Sequence, residues 1–262
     1  MSKKFLVVVL VVAIIAVVLL LVNKKQGTIS QTNVATSSAI IFRDKTVSEK
    51  DAKDTYEIDA SYPVVSGLAN IKVVNNINAA LLAYISQAVS DFKTNNVGGN
   101  PDVPAGVGPS TLSIEYSTST LSSANILSVQ FDSEFYSVGA AHPGHQSDTF
   151  VFNIVTGKII ALADLFTGNY LQVLSGYSRK ALTDQLTEAL QSAPDMDMIN
   201  AGTDPSDPDN FKTFFPDSDG LHIVFNEYQV GPYVIGRQEV VVPYSVLNEV
   251  INPKGELASF KK

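Results

Sequence analysis

An uninterrupted apolar run near the N-terminus constrains this chain more than any other feature. It extends from Phe5 to Val22 and contains no charge, glycine or proline. As a helix rising about 1.5 Å per residue it would be about 27 Å long, close to the hydrocarbon thickness of a bilayer. No small-residue cleavage site follows it, as a signal peptide would require. The run therefore predicts an uncleaved transmembrane anchor at residues 5–22 rather than a signal peptide or a buried core helix.

The charges around the run predict how the chain is oriented. Residues 1–4 are expected to stay in the cytoplasm, with the large remainder exported across the cytoplasmic membrane. Residues 23–38 are polar and rich in serine and threonine, which predicts a flexible stalk. Of the 18 basic residues four flank the run, which leaves 14 against 26 acidic ones beyond Lys25. This acidic excess argues against nucleic acid as a partner.

The remaining patterns predict an α+β fold. Apolar residues recur at helical spacing over residues 69–95, from Ile71 to Phe92, and again over residues 169–191, from Leu171 to Leu190. Alternating patterns around residues 112–116 and 127–135, a hairpin over 150–160 and apolar runs near 221–225 and 239–242 predict strands. We expect a mostly antiparallel sheet with two main helices packed on it, preceded by the transmembrane helix.

Two of the three histidines lie in the short sequence AHPGH. His142 and His145 cannot share a helix face, because Pro143 and Gly144 break a helix. Zinc would need at least a third protein ligand, which loop carboxylates could supply. The favoured interpretation is structural, with His142 forming a local hydrogen bond that holds a corner after the strand ending near Tyr136. A metal site and a ligand-contacting surface are the alternatives.

A second candidate is the loop EYQVGPYVIG, which separates two predicted strands. Its tyrosines combine an apolar face with a polar end, as partner surfaces and sugar sites often do. The favoured interpretation is nevertheless structural, with the tyrosines capping the edge of the sheet and Gly231-Pro232 turning the chain, and a binding surface is the alternative. The aspartate-rich segment from Asp195 to Asp209 lacks the EF-hand pattern and is predicted to be a solvated loop. The sequence also lacks cysteine, a nucleophile elbow and phosphate-binding loops.

Four stretches carry a family resemblance. They are YPVVSGLANIKVVNNINAAL, YSVGAAHPGH, FNIVTGKIIALADLF and LHIVFNEYQVGPYVIGRQEVVVPYSVL. In this order they resemble the paired extracellular domains of RsiV-type lysozyme-sensing anti-sigma factors and of PdaC-type peptidoglycan deacetylases. The resemblance implies a PdaC-type half at residues 39–145 and an RsiV-type half at residues 146–262. One departure is Ala140, where the family has a second glycine, and it would be costly if that position needs positive φ.

The resemblance covers only the extracellular module, so it implies neither sigma-factor binding nor deacetylation. The predicted function is a membrane-anchored, non-enzymatic module that binds cell-wall glycan or a wall-directed protein such as lysozyme. No catalytic residue, cofactor or metal is assigned. The alternative is a metal-assisted hydrolase or deacetylase of wall polymer that uses His142, His145 or the loop aspartates. The candidate ligand or partner surface comprises Tyr136, Gly139, His142, His145, Tyr228, Gly231, Pro232, Tyr233 and Gly236.

Overall fold

The computed structural model describes residues 39–51, 55–96 and 108–262. The predicted cytoplasmic tail, anchor and stalk lie outside these ranges. Within them, no helix has both the length and the apolar character needed to cross a bilayer. By their internal contacts, residues 40–262 form one unit.

Five strands form the first sheet, in the order β1 to β5. They are β1 (Ile41–Lys50), β2 (Tyr56–Ser66), β3 (Ser110–Leu121), β4 (Ile126–Tyr136) and β5 (Gly144–Asn153). Every neighbouring pair is antiparallel except β2 and β3, which are parallel. Helix α1 (Ile71–Asn96) connects the parallel pair, as parallel strands need a long crossover. The helix predicted over residues 69–95 is thereby confirmed.

Helix α1 covers one face of this sheet. Ile77, Leu81 and Ile85 are completely buried on its inner side, at the predicted spacing. Ile71 was expected on the same stripe, but it is 66% exposed. The stripe begins at Val73, because the first residues of the helix precede its contact with the sheet.

Strand β2 continues through Pro63, although proline lacks the backbone N–H that a strand can donate to a neighbour. Its pairing with β3 ends at Ala60, so the last part of β2 pairs only with β1. A proline is tolerated where one edge of a strand is open. Asn78 of α1 covers part of this open edge: its side chain accepts from the Val65 amide at 2.7 Å and donates to the Val65 carbonyl at 2.8 Å.

The second sheet has three antiparallel strands, β6 (Phe214–Pro216), β7 (Leu221–Phe225) and β8 (Gln238–Val242). The other helices are α2 (Leu162–Leu165), α3 (Tyr170–Leu190), α4 (Met196–Gly202) and α5 (Tyr244–Leu247). Helix α3 confirms the predicted second helix and packs against β8. The fold is therefore α+β and mostly antiparallel, as predicted, but the strands form two sheets and each has its own main helix.

The prediction of a solvated loop at residues 195–209 was wrong for the first part of this segment, where α4 forms. Asp195 caps this helix, because its side chain accepts from the amides of Asp197 at 3.0 Å and Met198 at 3.1 Å. A capping aspartate at the start of a short helix resembles a loop residue in sequence. Leu190 was expected on the apolar stripe of the second helix. It lies at the end of α3 and is 41% exposed.

Strands β4 and β5 form a wall between two hydrophobic cores. Leu127 and Phe152 belong to the core under α1, whereas their neighbours Ile126 and Val151 belong to the core built by α3 and the second sheet. Successive residues of a strand point to opposite faces, which explains this division. The predicted boundary between residues 145 and 146 falls inside β5, and the division into two halves stays a prediction.

Candidate functional site

Two loops that are far apart in sequence meet on one surface. The first follows β4 and carries His142, and the second connects β7 to β8 and carries Tyr228 and Tyr233. The His142 ring stacks on Tyr233 with 3.9 Å between ring centroids, and the centroids of the two tyrosines are 5.9 Å apart. His142, Tyr228 and Tyr233 are called the aromatic cluster below. It brings together candidates from both predicted loops.

Two hydrogen bonds hold the ring of His142. Its Nδ1 lies 2.7 Å from the Pro143 carbonyl oxygen, and its Nε2 lies 3.2 Å from the Tyr228 hydroxyl. The carbonyl can only accept, so Nδ1 donates to it, whereas the Tyr228 hydroxyl can either donate to Nε2 or accept from it. His142 thus makes a local hydrogen bond at the corner that follows β4.

His145 is held differently, between two carboxylates. Its Nδ1 lies 2.6 Å from Glu227 Oε1 and its Nε2 lies 3.2 Å from Glu134 Oε2, while its backbone amide donates to Glu227 Oε2 at 3.1 Å. Both ring nitrogens face carboxylate oxygens, which are acceptors. The Glu227 side chain is only 9% exposed, so the contacts with His145 hold a mostly buried carboxylate.

The geometry of His145 does not make a metal centre. Its two carboxylates bind opposite nitrogens of the ring, so the three groups do not converge on one point. In residues 39–51, 55–96 and 108–262 there is no group of three or more histidine, cysteine, aspartate or glutamate side chains that could hold a metal ion.

Backbone conformation shapes both loops. Gly139 has φ of 94° and Gly236 has φ of 63°, which glycine adopts without a steric penalty. Ala140 is not among the residues with positive φ, so the cost considered for the missing second glycine does not arise. Tyr228 itself has φ of 63°, a strained value for a bulky residue. The Tyr228 ring is held in the cluster by its hydroxyl contact with His142.

The Gly231-Pro232 step places Tyr233. A Cβ added to Gly231 would lie 2.4 Å from Ile235 Cδ1, so a side chain there would force the end of the Ile235 side chain to move. Pro232 precedes the 3₁₀ turn Tyr233–Ile235, which carries the ring towards His142. Tyr136 behaves otherwise: it ends β4 opposite Thr111 and makes no ring contact with the aromatic cluster in the described structure.

Polar residues that sequence reasoning missed fasten the second loop to the first sheet. The Asn226 side chain accepts from the Ser147 amide at 2.6 Å and donates to its carbonyl at 3.0 Å, as a neighbouring strand would. Arg237 donates to Asp132 and, at 2.9 Å, to Ser147 Oγ. The only signal in the sequence was the position of Asn226 and Glu227 directly after an apolar strand.

Two depressions border these contacts. A pocket of about 400 Å³ lies beside the aromatic cluster, where the exposed Phe135 ring and Pro143 form part of its lining. A cleft of about 450 Å³ lies between the sheet and the second loop. The residues that line it have polar side chains and include Glu115, Asp132 and Arg237. His145 and Glu227 line both depressions, so the two form a continuous surface.

Comparison with known proteins gives two family matches on this framework. The family model described as deacetylase PdaC matches residues 49–145, and the model described as protein of unknown function DUF3298 matches residues 163–245. The anti-sigma-V factor RsiV of Bacillus subtilis is 26% identical over 213 residues, which cover 77% of this chain and 68% of that protein. The chain carries RsiV/PdaC-type domains. The sequence resemblance is thus confirmed.

Two solved structures share the fold. A DUF3298 family protein from Bacteroides fragilis has a TM-score of 0.60 at 20% identity, covering 86% of this chain and 98% of its own. Another from Pseudomonas aeruginosa has a TM-score of 0.54 at 12% identity, covering 82% of this chain and 95% of its own. At these identities the likeness shows the fold alone. In this chain the aromatic cluster joins His142 of the PdaC match to tyrosines of the DUF3298 match.

Proposed function

We propose that this chain is an extracytoplasmic binding or sensing module, held at the cytoplasmic membrane by residues 5–22. Its ligand is cell-wall glycan or a wall-directed protein such as lysozyme. The similarity to an anti-sigma factor and to the PdaC and DUF3298 regions supports a sensing or binding role. The observation that carries the proposal is the convergence of two loops into one aromatic cluster beside a polar cleft.

The arrangement of the cluster suits recognition. Tyr228 is 53% exposed, although its backbone is strained and its hydroxyl is hydrogen bonded. Aromatic rings held in place in this way offer a large contact area at a low cost in side-chain entropy. Neighbouring donors and acceptors in the cleft supply polar contacts for a sugar or a protein loop. The remaining predicted surface residues, including Gly139, Gly231, Pro232 and Gly236, shape the loops that present the rings.

The test is retention of the full-length chain on purified sacculi and on immobilised lysozyme at low salt. We expect the wild type to bind at least one of them, and Tyr233→Ala to weaken that binding by about tenfold or more, as loss of a central aromatic contact typically does. Tyr228→Phe should weaken it less, because it removes only the bond to His142. Val234→Ala is the matched control, since Val234 is 82% exposed in the same turn.

Two results would contradict the proposal. Failure of the wild type to bind either material would remove the predicted ligands. Binding that is unchanged by Tyr233→Ala and Tyr228→Phe would place the contact elsewhere on the molecule.

A further inference from the structure

Strand β1 is an edge strand of the first sheet, and its ten residues are paired on one side only, with β2. The Asp51 amide donates to the Tyr56 carbonyl at 3.1 Å, one step beyond the register in which Lys50 is opposite Glu57. Hydrogen-bonded and non-hydrogen-bonded pairs alternate along an antiparallel ladder, so the odd-numbered residues of β1 bond to β2. The even-numbered residues therefore direct their amides and carbonyls to the open side of the strand.

The position of a proline agrees with this assignment. Pro63 of β2 is opposite Asp44, an even-numbered residue, so the pair needs no N–H from the proline. In the described part of the chain, no protein group bonds to the backbone of the even-numbered residues from Phe42 to Ser48. An open edge of this length is a template for another strand.

The charges along this edge complement one another across its centre. The sequence from Arg43 to Asp51 is RDKTVSEKD, with Val47 in the middle. Two copies aligned antiparallel about Val47 place every charged residue opposite one of the other sign. The pairs are Arg43 with Asp51, Asp44 with Lys50 and Lys45 with Glu49, and Thr46 lies opposite Ser48. Moving the centre by one residue in either direction leaves one kind of opposite-charge pair within residues 43–51.

We propose that β1 pairs with β1 of a second copy of this chain, with Val47 on the two-fold axis. The register fits the backbone, because it places even-numbered residues opposite even-numbered ones, and these carry the open amides and carbonyls. The two five-stranded sheets then form one continuous sheet of ten strands. Such pairing requires no ligand on the aromatic cluster, so it goes beyond the proposed function.

Two cations of this edge gain partners from the second copy. Within residues 39–51, 55–96 and 108–262, no ion pair includes Arg43 or Lys45, and both side chains are exposed. The second copy places Asp51 and Glu49 opposite them. Opposite charges across neighbouring strands stabilise their pairing, whereas like charges destabilise it. The mixture of signs distinguishes β1 from an edge that lysines protect against pairing.

A groove beside β1 adds an apolar contact. It has a volume of about 760 Å³ and lies between β1 and α1, where Val47, Ile85 and Val89 are the apolar residues of its lining. A two-fold axis perpendicular to the paired strands places both α1 helices on the same face of the joined sheet. The Val47 side chains of the two copies then meet on that face, with their Cβ atoms about 5 Å apart.

The test is disulfide cross-linking of the full-length chain in mild detergent, since the sequence contains no cysteine of its own. Val47→Cys places two thiols opposite each other in a non-hydrogen-bonded pair, within reach of a disulfide. Ile41→Cys is the matched control, because it replaces another aliphatic residue of β1 and leaves every charge in place. In the proposed pair Ile41 lies about 40 Å from its counterpart, twelve residues along the strands. It is also more exposed than Val47, so random collision favours the control.

With a mild oxidant we expect Val47→Cys to form the disulfide-linked dimer about tenfold faster than Ile41→Cys, or more. Adding Asp44→Lys should slow this reaction about fivefold, since it sets two lysine side chains opposite each other. Further addition of Lys50→Asp restores opposite signs and should return the rate to within about twofold of its original value. Misfolding caused by Asp44→Lys cannot explain such a recovery.

Three results would overturn the inference. The first is equal cross-linking rates in Val47→Cys and Ile41→Cys, which would show collision without a fixed register. The second is a chain with both charge changes that reacts as slowly as the chain with Asp44→Lys alone. The third is a Val47→Cys chain that stays monomeric, which would leave the edge to solvent or to another segment of the same chain.

Discussion

His222 shows how opposing effects act on the pKa of a single side chain in β7. It is buried in β7, where its ring stacks on Phe215 with 4.3 Å between centroids. Its Nδ1 lies 2.6 Å from Glu239 Oε1, and its Nε2 lies 3.0 Å from Asp217 Oδ2 without the angles of a hydrogen bond. Burial alone would lower the pKa of His222, but the two carboxylates outweigh it and raise the pKa.

This raised pKa predicts a pH-dependent stability. A histidine with a raised pKa in the folded state contributes most below 6.5, its ordinary value, and the contribution is lost as pH rises through the folded value. We expect the free energy of unfolding of the wild type to fall, relative to that of His222→Gln, as pH rises above 6.5. Urea denaturation followed by circular dichroism between about pH 6 and 9 measures the difference.

The matched control is His142→Gln, which alters an exposed histidine that does not contact His222. This variant should leave the slope of the unfolding free energy against pH unchanged. A slope that is the same in His222→Gln and in the wild type would contradict the prediction.

Asp217 acts in the opposite pH range: burial raises its pKa, but the Asp219 amide and His222 outweigh this, so its pKa is lowered. Its contribution is lost only in acid, as pH falls through that lowered value.

At the scale of elements, asparagine side chains replace missing strands at two edges of the first sheet. Asn78 pairs with both backbone groups of Val65 on the open part of β2, and Asn226 pairs in the same way with Ser147 of β5. An amide supplies one donor and one acceptor in the geometry of a peptide group. These contacts connect α1 to β2 and the second loop to β5.

Asn78→Ala should destabilise the protein by about 2 kcal/mol, because it leaves an amide and a carbonyl of Val65 without partners. Asn78→Asp should also be harmful, since a carboxylate cannot donate to the carbonyl. Asn75→Ala, at an exposed position of the same helix, is the control and should change stability little. Urea denaturation measures the free energy of unfolding of all three variants. An Asn78→Ala variant as stable as Asn75→Ala would contradict the interpretation.

Periodicity predicted the elements that have a long repeating pattern. Helices α1 and α3 and strands β3, β4, β7 and β8 were all visible in the sequence, because burial of one face imposes a regular spacing. Helix α4 and the continuation of β2 through Pro63 were not, since a cap and an open edge are decided by tertiary context. The pairing of Glu227 with His145 was also invisible, because the tertiary fold brings together a loop and a strand whose residues are 82 positions apart.

At the scale of the whole molecule, the proposed anchor makes a direct prediction. The intact chain should sediment with membranes and be released by detergent but not by high salt or alkaline carbonate, because about 27 Å of apolar helix would lie in the bilayer. Replacing Val11 and Ile15 with lysine should shift it to the soluble fraction. Replacing Thr28 and Ser30 with lysine, in the predicted stalk, is the control. Recovery of the unaltered chain in the soluble fraction would disprove the anchor.

The wall formed by β4 and β5 has a consequence for how such a protein is inherited. Ile126 and Val151 serve one core while Leu127 and Phe152, their immediate neighbours, serve the other. A gene rearrangement that kept either matched region without the other would expose apolar residues on one face of β4 and β5, and an exposed apolar surface of this kind promotes aggregation. The two regions are therefore expected to be inherited together, although they match separate family models.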